Sequence, residues 1–189
     1  MDEAVGINFL RNITRTLQAN HAKKRNKVLA ASPDYDTSAI EAGYLVFCHT
    51  DVAHDIRELP GFVPVAKYAQ RSTINENEIG SVDEYRFVLS PELAPYLAGG
   101  AAVGSTGMLA ADAATLDVYP LIIVGMEGCF DVALRGEDAM DLIDISHKVK
   151  DKSDPAGQRG YVGATFWSAV LVANNGWMAV GEVAVTDLD

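Results

Sequence analysis

Cysteine is scarce in this 189-residue chain, which holds only Cys48 and Cys129 and no CxxC arrangement. That excludes a zinc ribbon, which needs closely spaced thiolates, and a thioredoxin-type redox site. Both thiols read as reduced and buried, as in a protein that folds in a cytoplasm. Basic residues are in the minority: 15 Lys and Arg stand against 26 Asp and Glu, a formal net charge of -11. Such a surface repels phosphate overall, which disfavours general nucleic-acid binding. Long hydrophobic runs are missing too. The longest, VYPLIIVGM around 118–126, is too short to cross a bilayer and contains a proline. The Met-Asp-Glu start has neither the basic nor the apolar region of a signal peptide, so a soluble protein with no membrane partner is expected.

Catalytic signatures are equally sparse. There is no GxSxG nucleophile elbow. GGAAVGSTG, residues 99–107, lacks the Gly-Lys-Ser/Thr ending whose lysine would meet a phosphate. Cys48 and His49 are adjacent in a strand, where neighbouring side chains point to opposite faces, so they do not form a dyad. One cluster invites a ligand reading: His49, Asp51, His54 and Asp55. Imidazole with carboxylate can hold zinc or a non-haem metal. The two histidines are five apart across a strand-to-helix junction, however, and not at the i, i+4 spacing that puts two imidazoles on one helical face. A helix cap with a solvated face accounts for the same residues. Asp141 and Asp144 likewise read as a solvated face in preference to a cation site. No catalytic, cofactor-binding or metal residue is therefore assigned.

What is present is the composition of a globular protein, 49% hydrophobic and 22% charged, long enough to bury a core without staples. Phe9, Leu10, Ile13 and Leu17 recur at helical spacing within 4–20. The basic HAKKRNK at 21–27 reads as a solvated helix end, with nucleic acid or a neighbouring subunit as the alternative contact. SPDYD within the irregular 28–42 is turn chemistry. GYLVFC at 43–48 and DVYPLIIVG at 117–125 read as buried strands. Between them HTDVAHDIREL reads as a short helix, capped by Thr50 or Asp51, facing Val52 and Ile56 inward and stopped by Pro60-Gly61. FVPV and EYRFVLS are strand candidates, as is Asp131–Leu134, and Met140–Ile145 is a short helix or strand. Residues 90–117, rich in Gly, Ala, Ser and Thr, are expected to form a mobile loop. Residues 136–160 are mostly connection. The apolar runs 161–173 and 177–185, joined by Asn174-Asn175-Gly176, predict an antiparallel hairpin. Tyr161, Phe166, Trp167 and Trp177 read as core aromatics there, with a subunit contact as the alternative role, and Trp177 as substantially buried. The residues alone thus predict an α+β domain without an active site.

Two segments then resemble a known family. They are YLVFCHTDVAHDIRELPGFVPVAKYA (44–69) with EIGSVDEYRFVLSPEL (78–93), and DVYPLIIVGMEGCFDVALRG (117–136) with DPAGQRGYVGATFWSAVLVANNGWMAVGEVAV (154–185). The ordered set Glu78-Ile79-Gly80, Arg86-Phe87, Asp154-Pro155, Gln158-Arg159-Gly160, Val162-Gly163 and Trp177-Met178 is similar to the major capsid proteins of N-four-like tailed phages and their prophage relatives. The chain departs at Thr50, where that family has proline. The resemblance implies the Hong Kong 97-type capsid fold, lacking the N-terminal arm and extended loop, so that the chain reads as a C-terminal portion. Residues 1–42 would then be a peripheral-domain helix and connection, 43–149 the axial domain, and 150–189 the returning peripheral hairpin. It implies a non-enzymatic subunit that self-assembles into hexameric and pentameric capsomers around double-stranded DNA, touched only non-specifically. Scaffolding or decoration proteins would be further partners, assembly would occur in the host cytoplasm, and the product would be the virion capsid. A cellular nanocompartment shell of the same fold, or a metal-binding or enzymatic domain using His49, Asp51, His54 and Asp55, are the rivals.

Overall fold

The computed structural model describes residues 3–31, 38–69, 72–103, 107–112, 114–132, 140–150 and 152–188. SPDYD, the 104–106 part of the Gly-rich stretch, Ala133-Leu134 and the GED of 136–138 lie outside them. The chain divides into two compact units, Met1–Gly128 with Asn174–Asp189, and Cys129–Ala173. Each contains β-structure, and the first adds helices, which makes the protein a mixed α+β fold with several sheets.

The larger unit is built on a six-stranded mixed sheet. Its strands are β1 (Tyr44–Cys48), β2 (Val63–Pro64), β3 (Glu78–Val82), β4 (Tyr85–Leu89), β5 (Tyr119–Val124) and β10 (Met178–Val183), in the order β10-β5-β1-β4-β3-β2. β1 and β4 run parallel, and every other pairing is antiparallel. The parallel pair needs a crossover, and the segment between β1 and β4 supplies it with a 3-10 turn at Thr50–Val52, helix α2 (Ala53–Arg57) and the β2–β3 strands. Alternation along the strands sends Tyr44, Val46, Cys48, Tyr85, Phe87, Tyr119, Leu121 and Ile123 into one core. Helix α1 (Ile7–Ala19) contributes Leu10 and Leu17 to that core, and α2 contributes Ile56 beside Val52 and Leu59. The Tyr85 hydroxyl donates to the Leu10 carbonyl at 3.0 Å, so the aromatic layer is tied to α1 by a polar bond as well as by packing.

Glycine and a left-handed turn set the closest approaches. A Cβ at Gly181 of β10 would lie 2.9 Å from the Phe9 ring, so the missing side chain is what lets α1 seat on this strand. Helix α1 ends with His21 at φ 57. The His21 N–H donates to Gln18 and the Ala22 N–H to Leu17, which is the Schellman pattern with histidine at the position glycine usually holds.

Several expectations are met. Helix α1, β1, β5, the 50–57 helical segment, the β2 and β4 strands and a strand at Met140–Ile145 all form. Val52 and Ile56 face inward, fully buried. The cap differs: His49, and neither Thr50 nor Asp51, accepts the Asp51 N–H through Nδ1 at 3.2 Å. The described parts of 90–117 are better tied down than their composition suggests. Tyr96 and Val118 exchange backbone bonds, Leu109 donates to Val185, and buried Asp117 accepts from Ala98 and Ala111 at 2.9 and 2.8 Å.

The predicted returning hairpin of 161–173 with 177–185 does not form, and this is a correction. β8 (Tyr161–Phe166) pairs with β7 (Met140–Ile145), β9 (Val170–Val172) pairs with β6 (Cys129–Asp131), and β10 pairs with β5. Asn174–Gly176 does make a turn: the Asn174 side chain accepts from Gly176 and caps a 3-10 turn at Asn175–Trp177. An apolar run specifies that a strand wants burial, but it does not specify a partner. β10 gains more against β5 at the edge of a packed sheet than it could against a short exposed neighbour. Burial of the aromatics is corrected with it. Tyr161, Phe166 and Trp167 are exposed, and Trp177 is half-buried, its Nε1 donating to Asn20 O at 3.0 Å. Cys129 is half-buried where burial was expected, while Cys48 is buried.

Candidate assembly surface

The His–Asp cluster sits where β1 runs into the helical segment, and each carboxylate is already committed. Asp51 Oδ2 lies 3.1 Å from His49 Nδ1 and accepts the Tyr119 hydroxyl at 3.0 Å. Burial and the nearby Asp51 carboxylate push the pKa of that hydroxyl upward. Asp55 is 6% exposed and its Oδ2 accepts the Thr186 N–H at 3.0 Å, fixing the chain after β10 to α2. His54 lies at the surface, 3.7 Å from Glu58. Among the described residues no group of three or more His, Cys, Asp or Glu converges as metal ligands. His49 thus caps the helical segment and Asp55 braces it, whereas the spacing suggested a cap at Thr50 or Asp51 and a solvated face; the burial of Asp55 corrects the latter.

A different surface stands out, one that sequence reasoning placed in the core. In the smaller unit, β7 and β8 form an antiparallel ribbon from Met140↔Phe166 to Ile145↔Tyr161. β6 and β9 form a second short pairing, from Cys129↔Val172 to Asp131↔Val170. Among the described residues of Cys129–Ala173, none is buried. Alternation puts Met140, Leu142, Val162 and Phe166 on one face of the β7–β8 ribbon and Ile143, Ile145 and Tyr161 on the other. Leu142 is 70%, Val162 86% and Phe166 72% exposed, so neither face is covered by the described residues of the smaller unit. Val170, Leu171 and Trp167 extend the apolar surface. An exposed apolar surface makes this ribbon the candidate interaction site, because isolated two-stranded ribbons are marginal in water and open strand edges invite further pairing.

The ribbon's far end has the opposite character. Asp154-Pro155-Ala156-Gly157 is a tight turn: Gly157 holds φ +65 and donates to Asp154 O, while the Asp154 carboxylate accepts the Arg159 N–H at 2.6 Å. Lys148, Lys150, Lys152 and Arg159 cluster in this stretch of sequence within a chain of net charge -11. The DPAGQRG motif thus has a local job: it turns β7 back into β8. A signal for the exposed ribbon existed in the sequence. MDLIDI and YVGATF flank a polar, Asp-Pro/Gly-punctuated connection, as the strands of a hairpin do.

No family model matches the chain. It is 22% identical over 180 residues to a major capsid protein of Pseudomonas phage KPP21, a match that covers 87% of this chain and 44% of that protein. The chain thus spans less than half the length of the curated relative it matches. The mixed α+β architecture with several sheets is consistent with a capsid-like fold. The likeness is distant, and it is one of family level only.

Proposed function

We propose that this chain is a non-enzymatic structural subunit of a tailed-phage capsid, built on the Hong Kong 97-type fold. The observation that carries the reading is the ribbon of Cys129–Ala173, mainly apolar on both faces and uncovered by the described residues of its own unit. A monomeric protein gains nothing from such a surface and risks aggregation, whereas a subunit surrounded by copies of itself can bury it many times over. The distant likeness to a phage major capsid protein supports the same conclusion. In this reading residues 1–42 and 150–189 form the peripheral domain and 43–149 the axial domain, with the β5–β10 and β7–β8 pairings both crossing between them. Subunits close into hexameric and pentameric capsomers in the host cytoplasm, with scaffolding or decoration proteins as further partners. The virion shell that results encloses double-stranded DNA, and the chain's net charge of -11 limits that contact to non-specific encounters.

The test is the assembly state of wild type and of a Leu142→Glu/Phe166→Glu variant, followed by light scattering and electron microscopy. Both side chains are exposed in the isolated chain, so the variant should keep its far-UV circular dichroism. The wild type should form rings or shells as concentration rises, and the variant should remain monomeric. Identical behaviour of the two proteins, or a wild type monomeric at every concentration, would overturn the proposal.

A further inference from the structure

The turn ahead of β10 holds a chemically labile dipeptide that capsid assembly through the ribbon does not use. Asn175-Gly176 is the one Asn-Gly pair in the sequence. A glycine after an asparagine leaves its own amide nitrogen unshielded and its backbone free to swing, so that nitrogen can attack the asparagine side chain. Asn175 is exposed, so water is at hand for the hydrolysis that follows. Packing keeps the glycine in place: a Cβ at 176 would press on Asn174 Oδ1 at 3.3 Å, with the Asn20 Cβ next at 3.5 Å.

The fold obstructs this reaction at its nucleophile. The Gly176 N–H donates to Asn174 Oδ1 at 2.9 Å, so the attacking nitrogen is already engaged. The backbone carbonyl of the same Asn174 accepts the Trp177 N–H at 3.1 Å, which closes the 3-10 turn Asn175–Trp177 around the labile bond. A 3-10 turn keeps its backbone helical, whereas ring closure needs the Asn175 main chain rotated well away from that conformation. Trp177 anchors the turn from its far side. Its Nε1 donates to Asn20 O at 3.0 Å, and its carbonyl accepts the Gly125 N–H at 2.9 Å. Attack therefore requires the Gly176 nitrogen to leave its acceptor and the turn to open.

We infer that Asn175 is a deamidation site which the Asn174 side chain holds latent. In the reaction the Gly176 nitrogen bonds to Asn175 Cγ, the bond from Cγ to Nδ2 breaks, and ammonia leaves with the proton that Gly176 gives up. Water then opens the cyclic imide at either carbonyl and yields aspartate or isoaspartate. One water is consumed for each ammonia released. Either product carries a new negative charge, and isoaspartate also adds a carbon to the main chain directly ahead of Trp177. That insertion moves Trp177 off Asn20 and Gly125, and with it the register in which β10 meets β5.

The test incubates the whole chain in mildly alkaline buffer and follows the proteolytic peptide containing residue 175 by mass spectrometry. The reference is acetyl-Val-Ala-Asn-Asn-Gly-Trp-Met-amide, which has the sequence of 172–178 without the fold. The folded chain should deamidate at least about tenfold more slowly than this peptide, because the turn must open before the nitrogen can attack. Asn174→Ala removes the acceptor and should speed the reaction in the folded chain by about two- to tenfold, the range that one hydrogen bond supplies. Asn174→Asp keeps an acceptor at the cap position and should stay as slow as wild type. Asn174 is exposed, so both variants should keep the far-UV circular dichroism of the wild type. Equal rates in the folded chain and the peptide would overturn the inference. So would an Asn174→Ala chain as slow as wild type, or an Asn174→Asp chain as fast as Asn174→Ala.

Discussion

At the scale of single residues, Asp117 shows how one side chain can organise a stretch whose composition favours looseness. Its buried carboxylate bridges Ala98 and Ala111, thirteen positions apart in a segment with few bulky anchors. Asp117→Ala would leave two backbone donors without their acceptor, so a loss of about 2–6 kcal/mol in stability is expected, at about 1–3 kcal/mol per unsatisfied group. Urea unfolding measures it, and a midpoint equal to wild type would show that water or rearrangement replaces the carboxylate. The two thiols separate just as clearly. Burial pushes the Cys48 pKa up to about 12, which keeps it protonated, and therefore unreactive, throughout the neutral range. Cys129 is half-buried in β6. A disulfide reagent at pH 8 should titrate one thiol per chain in the native protein and the second only on denaturation. Two equally fast thiols would contradict the burial of Cys48.

Elements differ in how far local pattern specifies them. Helix α1, β1 and β5 were legible because each buries a continuous or regularly spaced apolar face, and local pattern is sufficient to specify that. The pairing of β10 was not legible. NNG signals a turn, and a turn formed, but the partner of the next strand depends on which strand lies within reach, a long-range fact. The same limit explains the aromatics. Phe166 and Trp167 look like core because most aromatics are, and only their placement on a lone ribbon reveals their exposure. For the candidate site, the sequence placed a cap at Thr50 or Asp51 and a solvated face beside it, whereas the capping atom belongs to His49 and Asp55 is buried, because the Thr186 N–H that Asp55 meets lies far along the chain. A tight element contact gives a test here. A Cβ on Gly43 would collide with the backbone carbonyl of Glu84, to which the Tyr44 N–H bonds at 2.7 Å. Backbone cannot swing aside as a side chain can, so Gly43→Ala should cost about 1–3 kcal/mol or more by overpacking. Gly163→Ala, with nothing within 4 Å of the added atom, is the control and should change the thermal midpoint little. Equal melting of the two variants would refute the close β1–β4 approach.

For the whole molecule, the contrast between its two units is the main physical fact. One buries Tyr44, Val46, Phe87, Leu121 and Ile123 almost completely, while the other leaves every described residue at least partly open. Ordering a residue costs about 1–2 kcal/mol of backbone entropy, and burial normally offsets it. The ribbon has little burial to offset that cost, so in the isolated chain its amides should exchange with solvent on the fast side, through local opening. Strands β1 and β5 should exchange only through global unfolding. If copies of the chain cover the ribbon on assembly, residues 140–145 and 161–166 should gain strong protection while β1 and β5 change little. Residues 90–117, placed by the capsid reading toward the tip of the axial domain near a capsomer axis, should gain protection only in part. Their described portion is already bonded, through Tyr96, Leu109 and Asp117. Hydrogen exchange on monomers and on assembled particles measures both segments at once. Strong protection of the ribbon in the monomer would mean that it is stable alone, and equal exposure in both states would remove it from the assembly contact. Equal protection of 90–117 in both states would make that segment ordinary intradomain structure, and leave the ribbon as the place where one copy meets the next.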